Sequence, residues 1–282
     1  MKIIKTIGEI RAISESARAE GKVVGLVPTM GALHEGHLAL AGRARSECDV
    51  IIMSIFVNPI QFGPREDFAA YPRDLETDAK LAEAAGVDYI FAPEASHMYP
   101  RPPLAFVEVS VLTDHLCGAS RPGHFRGVAT VVTKLFNITR PHRAYFGMKD
   151  AQQLRVIRRM NEDLDFGIEI VPVPTVREKD GLAMSSRNAY LSPEHRAQAV
   201  ILSRSLKLAE KLVKDGVRDT GVIKGEMRRL ILSEVPDASI DYVEVVDDDT
   251  VVPIERIEGR ALVALAVRIG GTRLIDNVTV VV

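Results

Sequence analysis

Two histidines three residues apart, His34 and His37, stand in the segment 28–37, PTMGALHEGH, directly after the apolar run VVGLV at 23–27. A β-branched run that ends at a proline, then a glycine-containing turn, then a helical pattern over 36–46, reads as strand, loop and helix. Open parallel sheets bind ligands beyond the carboxyl ends of their strands, and a helix start there offers amide N–H groups and partial positive charge to an anion. Gly31 and Gly36 let the main chain approach such a ligand closely. Two imidazoles on one side of a first turn can donate to phosphate oxygens, and can carry positive charge as negative charge builds on a leaving pyrophosphate. The plain alternative is a pair of surface histidines around a turn. Zinc is weaker, because no third ligand lies nearby at a matched spacing.

Four more patches carry groups suited to chemistry. The segment 58–62, NPIQF, follows the next apolar run, and Gln61 supplies the donor and acceptors that a hydroxylated acid needs, or is an exposed loop amide. Tyr71 and Arg73 read as loop and pocket wall. Residues 121–128, RPGHFRGV, form either a substrate loop or a tight turn ahead of a helix. In 146–150, FGMKD, Gly147 permits close approach, Lys149 can neutralise a phosphate, and Asp150 can cap a helix or bond a ribose. Gln152 and Gln153 follow in the first turn, and only one of them need be functional. Finally Met184, Ser185, Ser186 and Arg187 make a plausible anion clamp that could close onto a triphosphate.

Positioning these patches requires alternating elements. Helices are expected at 9–20, 36–46, 75–85, 126–137 and 151–164, and strands at 23–27, 49–57, 87–92, 143–146 and 168–173. That rhythm predicts right-handed β-α-β units and a parallel sheet with helices on both faces. After about residue 175 the texture changes to two helices, 194–215 and 223–234, and strands at 239–246 and 260–269, with 279–282 as a third. The expected organisation is an α/β domain over 1–175 and a smaller C-terminal α+β domain over 176–282.

Composition removes several classes of function. The 282 residues are 46% hydrophobic and carry a net charge of −2, so nothing in the overall balance favours nucleic acid or an anionic membrane. No signal peptide or membrane-length apolar run is visible, and a cytoplasmic protein is expected. Cys48 and Cys117 lie in no metal or redox spacing and read as small apolar residues.

The motif HEGH at 34–37 resembles the HxGH signature of class I aminoacyl-tRNA synthetases and nucleotidyltransferases, which implies a Rossmann-like sheet and attack on the α-phosphate of ATP. The serine and arginine loop at 184–187 is similar to the second signature of that superfamily. Taken together, PTMGALHEGH, FVNPIQF, Tyr71–Arg73, RPGHFRGV at 121–128, FGMKDAQQL and REKDGLAMSSRNAYL, with LIDN at 274–277, resemble the pantoate–β-alanine ligase (pantothenate synthetase) family along nearly the whole chain. Met148 departs from a Glu or Gln usual there.

The resemblance implies that pantoate and Mg-ATP form pantoyl-adenylate and pyrophosphate, and that β-alanine then displaces AMP to give pantothenate. It implies an ATP site of Met30, Gly31, Ala32, Leu33, His34, Glu35, Gly36 and His37, with Gly147, Met148, Lys149, Asp150, Val176, Met184, Ser185, Ser186 and Arg187. Gln61 and Gln153 would bind pantoate, with Gln61 also helping to place β-alanine, and a homodimer is implied. His34, His37, Lys149 and Arg187 would do the catalytic work. The family role for His37 is proton donor, while the charge argument suits electrostatic stabilisation. Mg²⁺ would arrive with ATP, with no dedicated protein metal site. The rivals are an adenylyltransferase, which would need a more cationic acceptor site, a tRNA-acting synthetase, which would need a basic appendage, and a nucleotide sensor without turnover.

Overall fold

Short, largely continuous apolar runs build a six-stranded parallel sheet in the order β1-β4-β3-β2-β5-β6. The strands are β1 (Lys2–Ile4), β2 (Val24–Thr29), β3 (Val50–Ile55), β4 (Tyr89–Phe91), β5 (Arg143–Gly147) and β6 (Glu169–Val173). Between them run α1 (Ile7–Ala19), α2 (Glu35–Glu47), α3 (Leu75–Ala84), α4 (Ala95–Met98), α5 (Cys117–Ser120), α6 (His124–Thr139) and α7 (Ala151–Asp163). This computed structural model describes residues 1–64 and 66–282.

Two compact units result. The first comprises Met1–Val109, Arg121–Met148 and Gln153–Pro174, and the second Ser110–Ser120, Lys149–Gln152 and Thr175–Val282. Residues 110–120 and 149–152 thus group with the second unit although they precede the main junction. A single cut in the linear sequence cannot express that.

In the first unit, alternate strand residues Val27, Ile51, Met53, Ile90 and Tyr145 bury one sheet face against Leu40, Ala41 and Ala44 of α2 and Ala82 of α3. Helices α1 and α6 pack together outside that cluster, tied by the Ser14 hydroxyl donating to the Thr139 carbonyl. The strand order runs outward from β2 through β3 to β4, then restarts on the other side of β2 with β5. The carboxyl ends of β2 and β5 therefore flank the topological switch point, where open α/β sheets bind ligands.

The second unit sets α9 (Ile201–Lys214) and α10 (Thr220–Glu234) against an antiparallel sheet of β7 (Ser239–Asp247), β8 (Arg260–Ile269) and β9 (Thr272–Val281), with α8 (Pro193–Gln198) ahead of them. Its core joins Leu202, Leu206, Met227 and Ile231 to Val243, Val263, Leu265 and Val267. The expected helix over 194–215 is divided between α8 and α9. The expected short strand at 279–282 is the end of β9, a ten-residue strand paired along the whole of β8. Gly270 and Gly271, both at positive φ, form the two-residue turn between them.

Candidate active site

The loop after β2 is held from inside the protein. Thr29 donates through its hydroxyl to the Ser54 carbonyl at 2.7 Å, and receives the Gly31 N–H at 3.3 Å. Asp78 of α3 is buried, and its two carboxylate oxygens accept from Ala32 N–H at 3.0 Å and Leu33 N–H at 2.7 Å. Burial pushes the Asp78 carboxyl up from its ordinary value, and these amides only partly offset it. Gly31 turns at φ +85°, and a Cβ there would come within 2.8 Å of an Asp78 oxygen. The turn requires glycine.

His34 is the N-cap of α2, its Nδ1 accepting from Gly36 N–H at 3.1 Å, while His37 Nδ1 accepts from His34 N–H at 3.4 Å. The ring centroids are 4.1 Å apart. This reciprocal cap differs from the sequence expectation of a helix start offering its amides to an anion. The N–H groups of Gly31, Ala32, Leu33, His34, Gly36 and His37 all have partners within the chain. Because each Nδ1 accepts, each neutral ring carries its proton on Nε2. The rings are thereby arranged as donors.

Gln61 lies in the 3₁₀ turn Pro59–Gln61 and is buried, not an exposed loop amide. Asn58 Nδ2 donates to Gln61 Oε1 at 3.0 Å and to the Gly127 carbonyl at 3.1 Å, while Tyr99 donates its hydroxyl to Asn58 Oδ1 at 2.9 Å. The Gln61 amide nitrogen is thereby turned toward Met30 Sδ, 3.2 Å away. Sulfur is a weak acceptor, so this nitrogen keeps donor capacity. Gly127 allows α6 to press against the turn, since a Cβ would stand 2.4 Å from the Ile60 carbonyl.

The 121–128 patch resolves into a brace. Arg121 donates to both oxygens of Glu66, at 2.7 and 2.6 Å, and to His124 Nε2 at 2.9 Å. His124 must then carry its proton on Nδ1, 3.0 Å from the Gln61 carbonyl. Burial alone would raise the Glu66 carboxyl, but the Arg121 hydrogen bonds and charge outweigh it and hold it at about 2. Arg121 is therefore neutralised. Tyr71 is buried, and Arg73 donates to the carbonyls of Phe68, Ala69 and Tyr71, which makes both parts of the loop's own framework.

At the end of β5, Gly147 leads into a 3₁₀ turn, Met148–Asp150, and α7 follows. Gln152 is fully engaged: its amide donates to the Leu112 and His115 carbonyls, both at 2.8 Å, and accepts from Cys117 N–H at 3.0 Å. Gln153, the next residue, is half-buried. Asn277 of β9 donates to the Lys149 carbonyl at 2.8 Å.

In the second unit the serine and arginine loop is a braced hairpin. Met184 N–H donates to the Val176 carbonyl at 3.0 Å, and Arg177 bridges to Ala183. Arg177 also makes a two-point pair with Asp276, at 2.7 and 3.0 Å. Asn188 ties the hairpin to Glu178 and the Ala183 carbonyl. Ser185 accepts from Arg187 N–H at 3.3 Å, capping the turn Ser186–Tyr190. The structure thus brings Met30 against Gln61 in the first unit, and links Lys149 and Arg177 through adjacent β9 residues in the second. Sequence reasoning missed Asn58, Glu66, Asp78 and Tyr99. The NPIQF motif contained Asn58, but nothing local marked the other three.

A doubly wound parallel sheet with paired imidazoles at the carboxyl end of its central strand defines a nucleotide-using α/β enzyme. Residues 2–279 match the family described as pantoate-beta-alanine ligase. The pantothenate synthetase of Acetivibrio thermocellus is 59% identical over 280 residues, covering 99% of each chain. The crystal structure of pantothenate synthetase from Thermus thermophilus superposes with a TM-score of 0.92 at 47% identity, covering 99% of each chain. That of the Francisella tularensis pantoate-beta-alanine ligase, complexed with beta-gamma ATP and beta-alanine, gives a TM-score of 0.82 at 34% identity, covering 99% of this chain and 97% of that one. The chain belongs to the pantoate–β-alanine ligase family.

Proposed function

We propose that the protein condenses (R)-pantoate with β-alanine, using Mg-ATP, in two steps at the patches described above. The pantoate carboxylate attacks the α-phosphate, forming pantoyl-adenylate and releasing pyrophosphate. The β-alanine amine then attacks the activated carbonyl and AMP leaves. Pantothenate is the product. The observation that carries this reading is the pair His34 and His37 at the carboxyl end of β2, each with its proton directed to Nε2 by a main-chain donor. Neutral N–H donors of fixed orientation suit phosphate oxygens whose charge grows in the transition state.

Met30 to His37, Gly147 to Asp150, Val176 and Met184 to Arg187 are assigned to ATP. Lys149 and Arg187 supply the positive charge. Gln61 and Gln153 are assigned to pantoate, with Gln61 also placing β-alanine; the constrained Gln61 amide supports the first assignment. Mg²⁺ enters with the ATP substrate, because it prefers phosphate oxygens and water. Among the described residues no three His, Cys, Asp or Glu side chains gather into a metal-binding group. Family membership supports a homodimer and a cytoplasmic location. Among the described residues no helix is long and apolar enough to cross a membrane.

Pantoate labelled with ¹⁸O in its carboxylate tests the adenylate route. One labelled oxygen should appear in AMP, since it bonds the α-phosphate before the amine expels the nucleotide. Unlabelled AMP would exclude attack at that phosphorus.

A further inference from the structure

Asp78 is 2% exposed on α3, and among the described residues no cation pairs with it. A buried carboxylate without a counter-charge is costly, and an apolar residue would seat α3 at lower cost. What the carboxylate supplies is two acceptor oxygens on one planar group. Oδ2 takes the Ala32 N–H and Oδ1 the Leu33 N–H. Asparagine could satisfy only one of these, and would turn its own N–H₂ toward the other.

The loop it holds is a conformation that the chain does not favour locally. Gly31 lies at φ +85° and Ala32 at φ +50°, the left-handed region that a residue with a Cβ avoids. Leu33 returns to the core beneath α2, and His34 follows at once as the helix cap. The path from β2 to the imidazoles therefore runs through two successive left-handed residues, the first tied to Thr29 and the second to the distant Asp78 side chain. Strain retained by surrounding structure in this way marks positions where placement matters.

We infer that Asp78 is a positioning residue for ATP use: by accepting the Ala32 and Leu33 N–H groups it fixes the approach to α2, and hence the orientation of His34 and His37. The inference rests on the assignment of those histidines to ATP. Asp78 does not itself touch substrate; it acts through the loop.

The test compares purified Asp78→Asn, Ala32→Val and His37→Ala, measuring pantoate-dependent pyrophosphate release as ATP, pantoate and β-alanine are varied, with thermal unfolding in parallel. Asp78→Asn should lower kcat for pyrophosphate release by about ten- to a hundredfold, the scale of a misplacement near 1 Å. The ATP concentration for half-maximal rate should rise several-fold while the dependence on β-alanine stays within about twofold of the parent; loss of folded protein alone would lower kcat and leave both unchanged. Ala32→Val disturbs the same loop from its other end, and should reproduce the kcat loss even where Asp78→Asn folds poorly. Parental kcat and ATP dependence in Ala32→Val, or in a folded Asp78→Asn, overturns the inference while an inactive His37→Ala preserves the assignment beneath it. Normal turnover in His37→Ala overturns both.

Discussion

Asn277 donates from its side-chain amide to the main-chain oxygen of Lys149 at 2.8 Å, across 128 residues of sequence. Its neighbour Asp276 accepts both donors of Arg177, so two consecutive residues of β9 hold the Lys149 turn and the start of the 177–187 hairpin. Asp276 is almost wholly buried, with its side chain 1% exposed. One strand therefore anchors two segments assigned to ATP.

Removing these anchors should separate stability from placement. Asp276→Ala leaves Arg177 without its carboxylate and should cost on the order of 2 kcal/mol in a denaturant titration. Asn277→Ala should cost less stability but lower turnover about tenfold, because the Lys149 turn loses its tether. Unchanged turnover in a folded Asn277→Ala would remove Lys149 placement from its role.

The residues assigned to the ATP phosphates should show a far larger effect. His37→Ala and Lys149→Ala should each lose roughly two to four orders of magnitude in turnover, the scale of lost transition-state donors, with circular dichroism unchanged. Near-normal steady-state rates in either variant would contradict its assigned role.

The two imidazoles should prove to be Nε2–H tautomers at neutral pH. Long-range proton–nitrogen NMR should find Nδ1 unprotonated in both, since each accepts a main-chain N–H. The His34 cap should be worth about 1 kcal/mol, measured as the stability lost in His34→Ala. A protonated Nδ1 on His34 at neutral pH would contradict the cap.

Glu66 provides the acid-sensitive contact. Its carboxyl is held at about 2 against an ordinary value of 4.5, so its ion pair with Arg121 contributes fully above the ordinary value. That contribution is lost as pH falls through 4.5 toward 2. Wild-type stability should therefore drop over this window by about 2 kcal/mol more than that of Glu66→Gln, as read from denaturation at each pH. Parallel curves for the two proteins would show that the pair contributes nothing.

Adjacent glutamines should behave oppositely. Gln152→Ala leaves two carbonyls and one N–H without their partner and should cost about 1–3 kcal/mol of stability. Gln153→Ala should fold normally and raise the pantoate concentration needed for half-maximal rate, as should Gln61→Ala. Equal pantoate dependence in all three proteins and the parent would reject the pantoate assignment.

The parallel sheet was legible because its strands are apolar runs broken by glycine and proline, and the HEGH motif was legible because strand, loop and helix follow one another locally. The long β9 strand was harder to read, since Arg273, Asp276 and Asn277 interrupt its apolar pattern while serving as anchors. Sequence spacing likewise could not show that the loop amides before α2 were already taken. Their acceptor, Asp78, lies 45 residues beyond Leu33 and reads locally as one more polar residue of a helix. The same holds for Arg121, whose partner Glu66 is 55 residues away and removes the charge that made it look like an anion ligand.

The proposed chemistry turns on cleavage of ATP to activate pantoate. Incubating the purified protein with Mg-ATP and D-pantoate, without β-alanine, and following pyrophosphate tests it most directly. Pyrophosphate release should require pantoate and halt near one equivalent of enzyme, with continuous AMP and pantothenate formation once β-alanine is added. Pyrophosphate release independent of pantoate, or none with all three substrates present, would contradict it.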